Sequence, residues 1–333
     1  MKRFATFKNR TSKNRHKRLF FFVFYAQLFS FFIHIWRGGK RMEIDGVFSG
    51  GGVKGFALIG AYEAIEEKGF RFKRLAGTSA GALIASLIAA GFTSKEILNI
   101  MDDLNLMDVL DERRTIIPYA WLKWLVLYWR MGLYKGEKLE QWIAEQLNKK
   151  GVRTFADLPY ERLRVVASDL TNGTMLILPD DLPKYGIDPL RFSVAKAVRM
   201  SVGIPYFFEP VKLKTDEGKH IVVDGGLLSN FPIFLFDEER KKRPVLGIKL
   251  SAKQAQKAKK KINNAIELYE ALFQTMREAH DERYISRRHE KNIVFLPVKH
   301  IVATDFSITA EEKKKLISFG KERTEQFLKT WTY

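Results

Sequence analysis

The sequence predicts an α/β fold in which helices cross over a parallel sheet. Three features carry this expectation. Glu43–Ser49 is a short strand that runs straight into a glycine turn. Phe56–Lys68 then places Leu58, Ala61, Tyr62 and Ile65 at helical spacing and stops at Gly69. Phe70–Ala76 forms a second strand, and the nearly unbroken apolar run Ala80–Ala90 suits a buried helix because of its length and alanine content. Strand, helix, strand and helix joined by short turns make a parallel sheet with helical crossovers.

The second strand meets its helix at Leu75-Ala76-Gly77-Thr78-Ser79-Ala80-Gly81-Ala82, which carries Gly-x-Ser-x-Gly. This is the pattern of a serine held on a sharp strand-to-helix turn. There the Ser79 hydroxyl stands clear of the backbone at a helix start, where unpaired N–H groups favour developing negative charge. Gly77 and Gly81 let other backbone approach closely. The pattern alone is common, since glycine and serine are abundant residues. Its strand and helix context gives it weight.

Gly50-Gly51-Gly52-Val53-Lys54-Gly55 follows the first strand and fits three readings. A dinucleotide-binding turn needs an acidic residue about 20 positions on, at the end of the second strand. Phe70-Arg71-Phe72-Lys73-Arg74 offers none. A plain tight turn needs fewer glycines. An oxyanion hole uses successive glycines, without Cβ atoms, to aim several N–H groups at one oxygen.

Further along, Thr93–Asn105 is a helix capped by Ser94, and Glu137–Asn148 is an amphipathic helix. Between them, Tyr119–Met131 holds Trp121, Trp124 and Trp129, three of the six tryptophans. It reads either as a core helix or as a lid or membrane-facing helix. Leu163–Ser168 and Thr174–Leu178 are strands, with Asp169 ending the first. Phe192–Met200 is a short helix, and Ser201–Phe208 an apolar loop. Ile221–Val223 is a strand ending at Asp224-Gly225-Gly226. Val245–Leu250 and Asn292–Leu296 are strands, while Ala265–Arg288 and Ala310–Thr330 are long helices. Lys253–Lys261 is a lysine-rich solvated face, or a contact for anionic headgroups.

The chain of 333 residues is long enough for one large α/β domain. It has no cysteine, which excludes disulfides and thiol chemistry. The net charge of +19 is uneven: residues 1–41 hold eleven Lys/Arg and no Asp/Glu. Within them, Leu19–Trp36 is an uncharged, Phe-rich run of just membrane-spanning length. Residues 1–41 are therefore either a membrane anchor or sequence ahead of a true start at Met42. The expected domains are this segment and residues 42–333, with a cytoplasmic or peripheral membrane location, or an anchored one if the segment is translated.

A serine hydroxyl needs a base. The chain has six histidines, and none has the local context of a catalytic one. His16 and His34 lie in the amino-terminal segment, His280 and His289 read as surface residues, and His220 leads into the Asp224 strand. His300, after the last strand, stays open as a partner. Asp224 is the better candidate, because ligand chemistry in open α/β sheets gathers at strand ends. Gly225 and Gly226 leave room around it. An ordinary carboxylate is a weak base, so Asp224 must touch Ser79 and be partly buried.

Gly50–Gly55, Gly77-Thr78-Ser79-Ala80-Gly81 and Asp224-Gly225-Gly226 resemble, in order, the three signature blocks of the patatin-like phospholipase family. The likeness spans roughly Glu43–Leu250. It implies a three-layer α/β/α sandwich around a mainly parallel sheet. It implies a Ser79–Asp224 dyad without histidine, an oxyanion hole from the N–H groups of Gly50, Gly51 and Gly52, and no cofactor or metal. The implied reaction is hydrolysis of carboxylic esters in lipids through an acyl-enzyme at a membrane surface, as in phospholipase A or lysophospholipase, with no nucleic-acid partner. Phe207, Phe208 and Tyr119–Met131 are candidate walls for an acyl channel. The competing expectations are a lipid-binding or scaffolding protein of the same fold, and a nucleotide-dependent enzyme.

Overall fold

The computed structural model describes residues 42–111, 127–216, 218–237, 243–251, 262, 265–285, 287–298, 301 and 303–332. The amino-terminal segment, most of Tyr119–Met131, Lys253–Lys261 and His300 lie outside them. Residues Glu43–Tyr333 form one compact unit.

Among the described residues, ten strands run in chain order: β1 Met42–Phe48, β2 Phe70–Thr78, β3 Gly132–Tyr134, β4 Leu163–Asp169, β5 Thr174–Leu178, β6 Tyr206–Phe208, β7 Val211–Thr215, β8 Gly218–Asp224, β9 Val245–Lys249 and β10 Ile293–Phe295. The helices are α1 Phe56–Glu67, α2 Ala80–Ala89, α3 Ser94–Asp102, α4 Glu137–Asn148, α5 Val194–Ser201, α6 Ala265–Tyr284, α7 Arg287–Glu290 and α8 Ala310–Leu328. The main sheet has the order β10-β9-β1-β2-β4-β8-β7, with β5 also on β4, and helices cover both of its faces. It is mixed. β10, β9 and β1 are parallel, as are β2 and β4, while β5, β8 and β7 join antiparallel.

Burial explains which elements were visible in the sequence. Every residue of β9 is buried, so Val245–Lys249 reads as an apolar run, the mark of a strand covered on both faces. β7 lies at the sheet edge and alternates exposed Lys212 and Lys214 with buried Leu213. Lysines on an edge deter pairing with other chains, and here they hide the strand from a search for apolar runs. The Ser201–Phe208 loop also holds β6, which pairs with β3 outside the main sheet. The expected helix Ala265–Arg288 is divided into α6 and α7.

The cap of α3 is Thr93 rather than Ser94. Glu96 reaches back to the Thr93 N–H at 2.8 Å while the Thr93 hydroxyl accepts from the Glu96 N–H, a reciprocal capping box. The Ser94 hydroxyl instead donates to Glu66 at 2.7 Å, tying α3 to α1.

α1 and α8 cross through paired glycines. A Cβ at Gly60 would sit 1.9 Å from Ile317 O, and one at Gly320 would sit 1.9 Å from Ala57 O. Both glycines therefore serve close backbone contact, which outweighs their poor helix propensity. Gly320→Ala is expected to destabilise the fold by about 1–3 kcal/mol through overpacking, read as a lower denaturation midpoint with an unchanged m-value.

Candidate active site

β2 and β8 meet head to head along one edge of β4. The last pair of β2 is Thr78 opposite Val166, and the last residue of β8, Asp224, lies opposite the next residue, Ala167. β5 occupies the other edge of β4 over the same residues. Residues 145 positions apart are thereby brought into contact: the Ser79 hydroxyl donates to Asp224 Oδ2 at 2.7 Å.

Ser79 lies between the end of β2 and the start of α2, with φ 54 and ψ −126. A non-glycine residue in this region is strained, and such strain persists only where neighbours enforce it. Ser201 is one such neighbour. Its hydroxyl accepts from the Ser79 N–H at 2.8 Å and donates to Val166 O at 2.5 Å, bolting the turn to β4. The glycines of the motif permit the rest. A Cβ on Gly81 would meet Phe48 O at 2.2 Å, one on Gly77 would meet Gly81 O at 2.5 Å, and one on Gly55 would meet the Ala80 Cβ at 2.8 Å.

Asp224 is 1% exposed. Its Oδ1 accepts from the Gly226 N–H at 2.7 Å, its N–H donates to Gly203 O at 2.8 Å, and its carbonyl accepts from the Ser168 hydroxyl at 3.0 Å. Gly225 lies tight against β4, with no room for a Cβ beside Val166 O. Burial pushes the Asp224 carboxyl above its ordinary value, opposed by the charge of Arg277 and by hydrogen bonds from Ser79 and Gly226.

The glycine loop departs from expectation at one position. The Gly50 N–H donates to Asn230 O at 3.0 Å, so it is committed within the protein. Val53 N–H is likewise held by Ala303 O at 3.0 Å. Among the described residues, the N–H groups of Gly51 and Gly52 have no such partner. Gly52 has φ +57, and a Cβ there would meet Ala303 O at 1.9 Å.

Two of the described histidines, His220 and His289, pair away from Ser79. His220 contacts Asp169 Oδ2 at 3.1 Å beside Tyr185. His289, expected on the surface, is buried with Nε2 2.7 Å from Asp237 Oδ1. No cluster of three or more His, Asp or Glu among the described residues could hold a metal ion.

Ser79 also forms part of the wall of an apolar cleft. Phe56, Leu83, Ile84, Leu104, Trp142 and Phe208 are among its lining, and Ser79 has the only hydroxyl among the described lining residues. Phe208 is thus where an acyl wall was expected. Phe207 stands behind it, stacked at 4.9 Å on Phe306, which does line the cleft. At the described end of Tyr119–Met131, Tyr128 and Trp129 are 77% and 71% exposed, so this end is not core.

A family model described as Patatin-like phospholipase matches residues 46–237, more than half of the chain. The chain belongs to the patatin-like phospholipase family. The matched segment contains the glycine loop, the serine turn and Asp224-Gly225-Gly226. The uncharacterized protein YqhO of Bacillus subtilis (strain 168) is 60% identical over 292 residues, 88% of this chain and 100% of that one. A protein of Invertebrate iridescent virus 6 named probable lipid hydrolase 463L is 24% identical over 284 residues, 83% of this chain and 84% of that one. Among solved structures, VipD from Legionella pneumophila shares the fold with a TM-score of 0.53 at 19% identity, over 86% of this chain and 67% of that one.

Motif inspection of this patatin-like chain missed Ser201 and Arg277. Ser201 sits in a segment that reads as an apolar loop, and Arg277 on a charged helix far along the chain. Neither has a local pattern, because each acts across a tertiary contact. Ser201→Ala would leave the Ser79 N–H and the Val166 carbonyl buried without their partner. A loss of about 1–3 kcal/mol is expected for such unsatisfied groups, measured by equilibrium denaturation.

Proposed function

We propose that this protein is a serine acyl hydrolase that cleaves carboxylic esters of lipids, of the phospholipase A or lysophospholipase type, with Ser79 as nucleophile and Asp224 as its base. The 2.7 Å hydrogen bond from Ser79 to a buried carboxylate, at the wall of an apolar cleft, carries this reading. Family membership supports it. The domain responsible is residues 42–333, working at a lipid surface. No helix among the described residues is long and apolar enough to cross a membrane.

In the proposed reaction an acyl chain lies in the cleft with its ester carbonyl at Ser79. Asp224 takes the hydroxyl proton as Ser79 attacks. The N–H groups of Gly51 and Gly52 face the oxygen that becomes negative, and the adjoining helix start favours the same charge. Collapse of the tetrahedral species expels the alcohol, which takes the proton back from Asp224. Water then attacks the acyl-enzyme, giving its proton to Asp224, and Ser79 leaves reprotonated. Burial suits Asp224 to this task, since a raised proton affinity makes a carboxylate a stronger base.

Ser79→Ala and Asp224→Asn are each expected to lower ester hydrolysis at least about a thousandfold. Full activity in either variant, on a short acyl ester or a phospholipid, would remove that residue from the mechanism. The acid limb of kcat/KM should lie above the ordinary carboxylate range, because Asp224 must be ionised and its folded value is raised. A buried acid with a raised value stabilises the fold only while protonated, and that contribution is lost as pH rises through the folded value. Asp224→Asn should therefore be more stable than wild type at neutral pH. The gain should vanish below the ordinary carboxylate range, as read by thermal melts across pH.

A further inference from the structure

We propose that Arg277 binds the phosphodiester of a glycerophospholipid's leaving group and so selects phospholipid over neutral acylglycerol; this rests on Ser79 and Asp224 being the reacting pair. Arg277 lies on α6 and crosses to the glycine loop, where Nη2 donates to Asn230 Oδ1. Its guanidinium rests over the Phe273 ring, 5.5 Å from the centroid. The point where a Gly50 Cβ would stand is 3.1 Å from Ser79 Cβ and 3.3 Å from Arg277 Nη2. The corresponding point on Gly226 is 2.8 Å from Asp224 Oδ1 and 3.1 Å from Arg277 Nε. The absence of side chains at Gly50 and Gly226 thus leaves the guanidinium beside both members of the pair.

Arg277 is half-buried, yet among the described residues no carboxylate lies within ion-pair distance of it and Asn230 is its only hydrogen-bond acceptor. Asp281, one turn further along α6, is taken up by Lys249 and by the N–H groups of Asn230 and Phe231. Most of the planar donor fork of Arg277 is thus uncommitted, and this fork matches phosphate oxygens. Location then selects the ligand. Gly50, Asn230, Gly226 and Arg277 are absent from the lining of the apolar cleft, whose walls come from α1, α2 and α4 together with Gly52, Leu104, Phe208 and Phe306. With the acyl chain in that cleft, the alcohol half of the ester lies toward Asp224, which must reprotonate it. In a glycerophospholipid that half carries a phosphodiester a short glycerol linker away from the scissile bond.

The test compares dihexanoyl phosphatidylcholine with dihexanoylglycerol, two substrates with the same ester and differing in the phosphate, using the full chain. Arg277 also bears on Asp224, so rates are taken on the alkaline plateau of the pH profile, where that effect is shared by both substrates. Arg277→Gln should lower the phospholipid-to-diacylglycerol ratio of kcat/KM by about tenfold or more, as expected when a charged contact made by only one substrate is removed. Arg277→Lys should restore part of the ratio. An unchanged ratio, with both rates falling together, would overturn the proposal and leave Arg277 as a support for Asn230 and Asp224. Calorimetric titration of inorganic phosphate into Ser79→Ala protein, with and without Arg277→Gln, reads the anion site without turnover, and equal affinity would also overturn it. Phosphate binding that depends on Arg277 beside an unchanged kinetic ratio would assign the site to free phosphate and overturn the headgroup claim. Failure of the dyad itself would show differently, as ester hydrolysis that survives Ser79→Ala.

Discussion

The structure depends on two strands ending against each other. β4 offers one edge to both β2 and β8, and the two arrive from opposite directions with Thr78 and Asp224 on consecutive positions. A strand end that abuts another cannot continue in the sheet, so each chain must turn out of it there. β2 turns through Ser79 into α2, and β8 turns through Gly225 and Gly226. The hydrogen bond between Ser79 and Asp224 follows from this junction, and the surrounding packing keeps it. Ser201 and Ser168 add side-chain bonds from α5 and β4, one to each partner.

Two costs accumulate at this junction. Ser79 holds a positive φ, and Asp224 keeps a carboxyl group almost wholly out of water. Strain of this kind costs about 1–3 kcal/mol per residue, and a buried carboxylate resists ionisation unless it is compensated. Here the compensation is partial. Two hydrogen bonds and the charge of Arg277 favour the carboxylate, while burial still dominates the shift. A fold optimised for stability alone would place neither residue this way, and the two are in contact where Ser79 borders the apolar cleft.

α6 links the far end of the chain to this centre. Phe273, Arg277 and Asp281 recur at one-turn spacing along its inner face. Asp281 binds the backbone of Asn230 and Phe231, Arg277 binds the Asn230 side chain, and Asn230 in turn holds the Gly50 N–H. The glycine loop is therefore fixed from outside as well as by its own turn. Lys249, at the end of β9, closes the network by pairing with Asp281. A helix that looks like an ordinary charged surface element in sequence thus sets the shape of the loop beside Ser79.

Much of this was legible in the residues. Buried strands read as apolar runs, the serine turn and glycine loop have local patterns, and Ser79, Asp224 and their glycines were nameable from motif and family likeness. Elements that mix exposure with structural duty were not. β7 is disguised by its edge lysines, Thr93 takes the α3 cap because Glu96 lies three residues on, and Gly60 and Gly320 look like helix faults until α1 and α8 are seen to cross. By itself the sequence determined the α/β periodicity and the residue types at the strand ends, since these depend on local geometry and burial. Only the tertiary structure decided that the Gly50 N–H is already taken, that Ser201 braces the serine turn, and that Arg277 stands beside the pair. Each of these is a contact between residues distant in the chain, and no local pattern encodes which distant partner will fill a hydrogen bond.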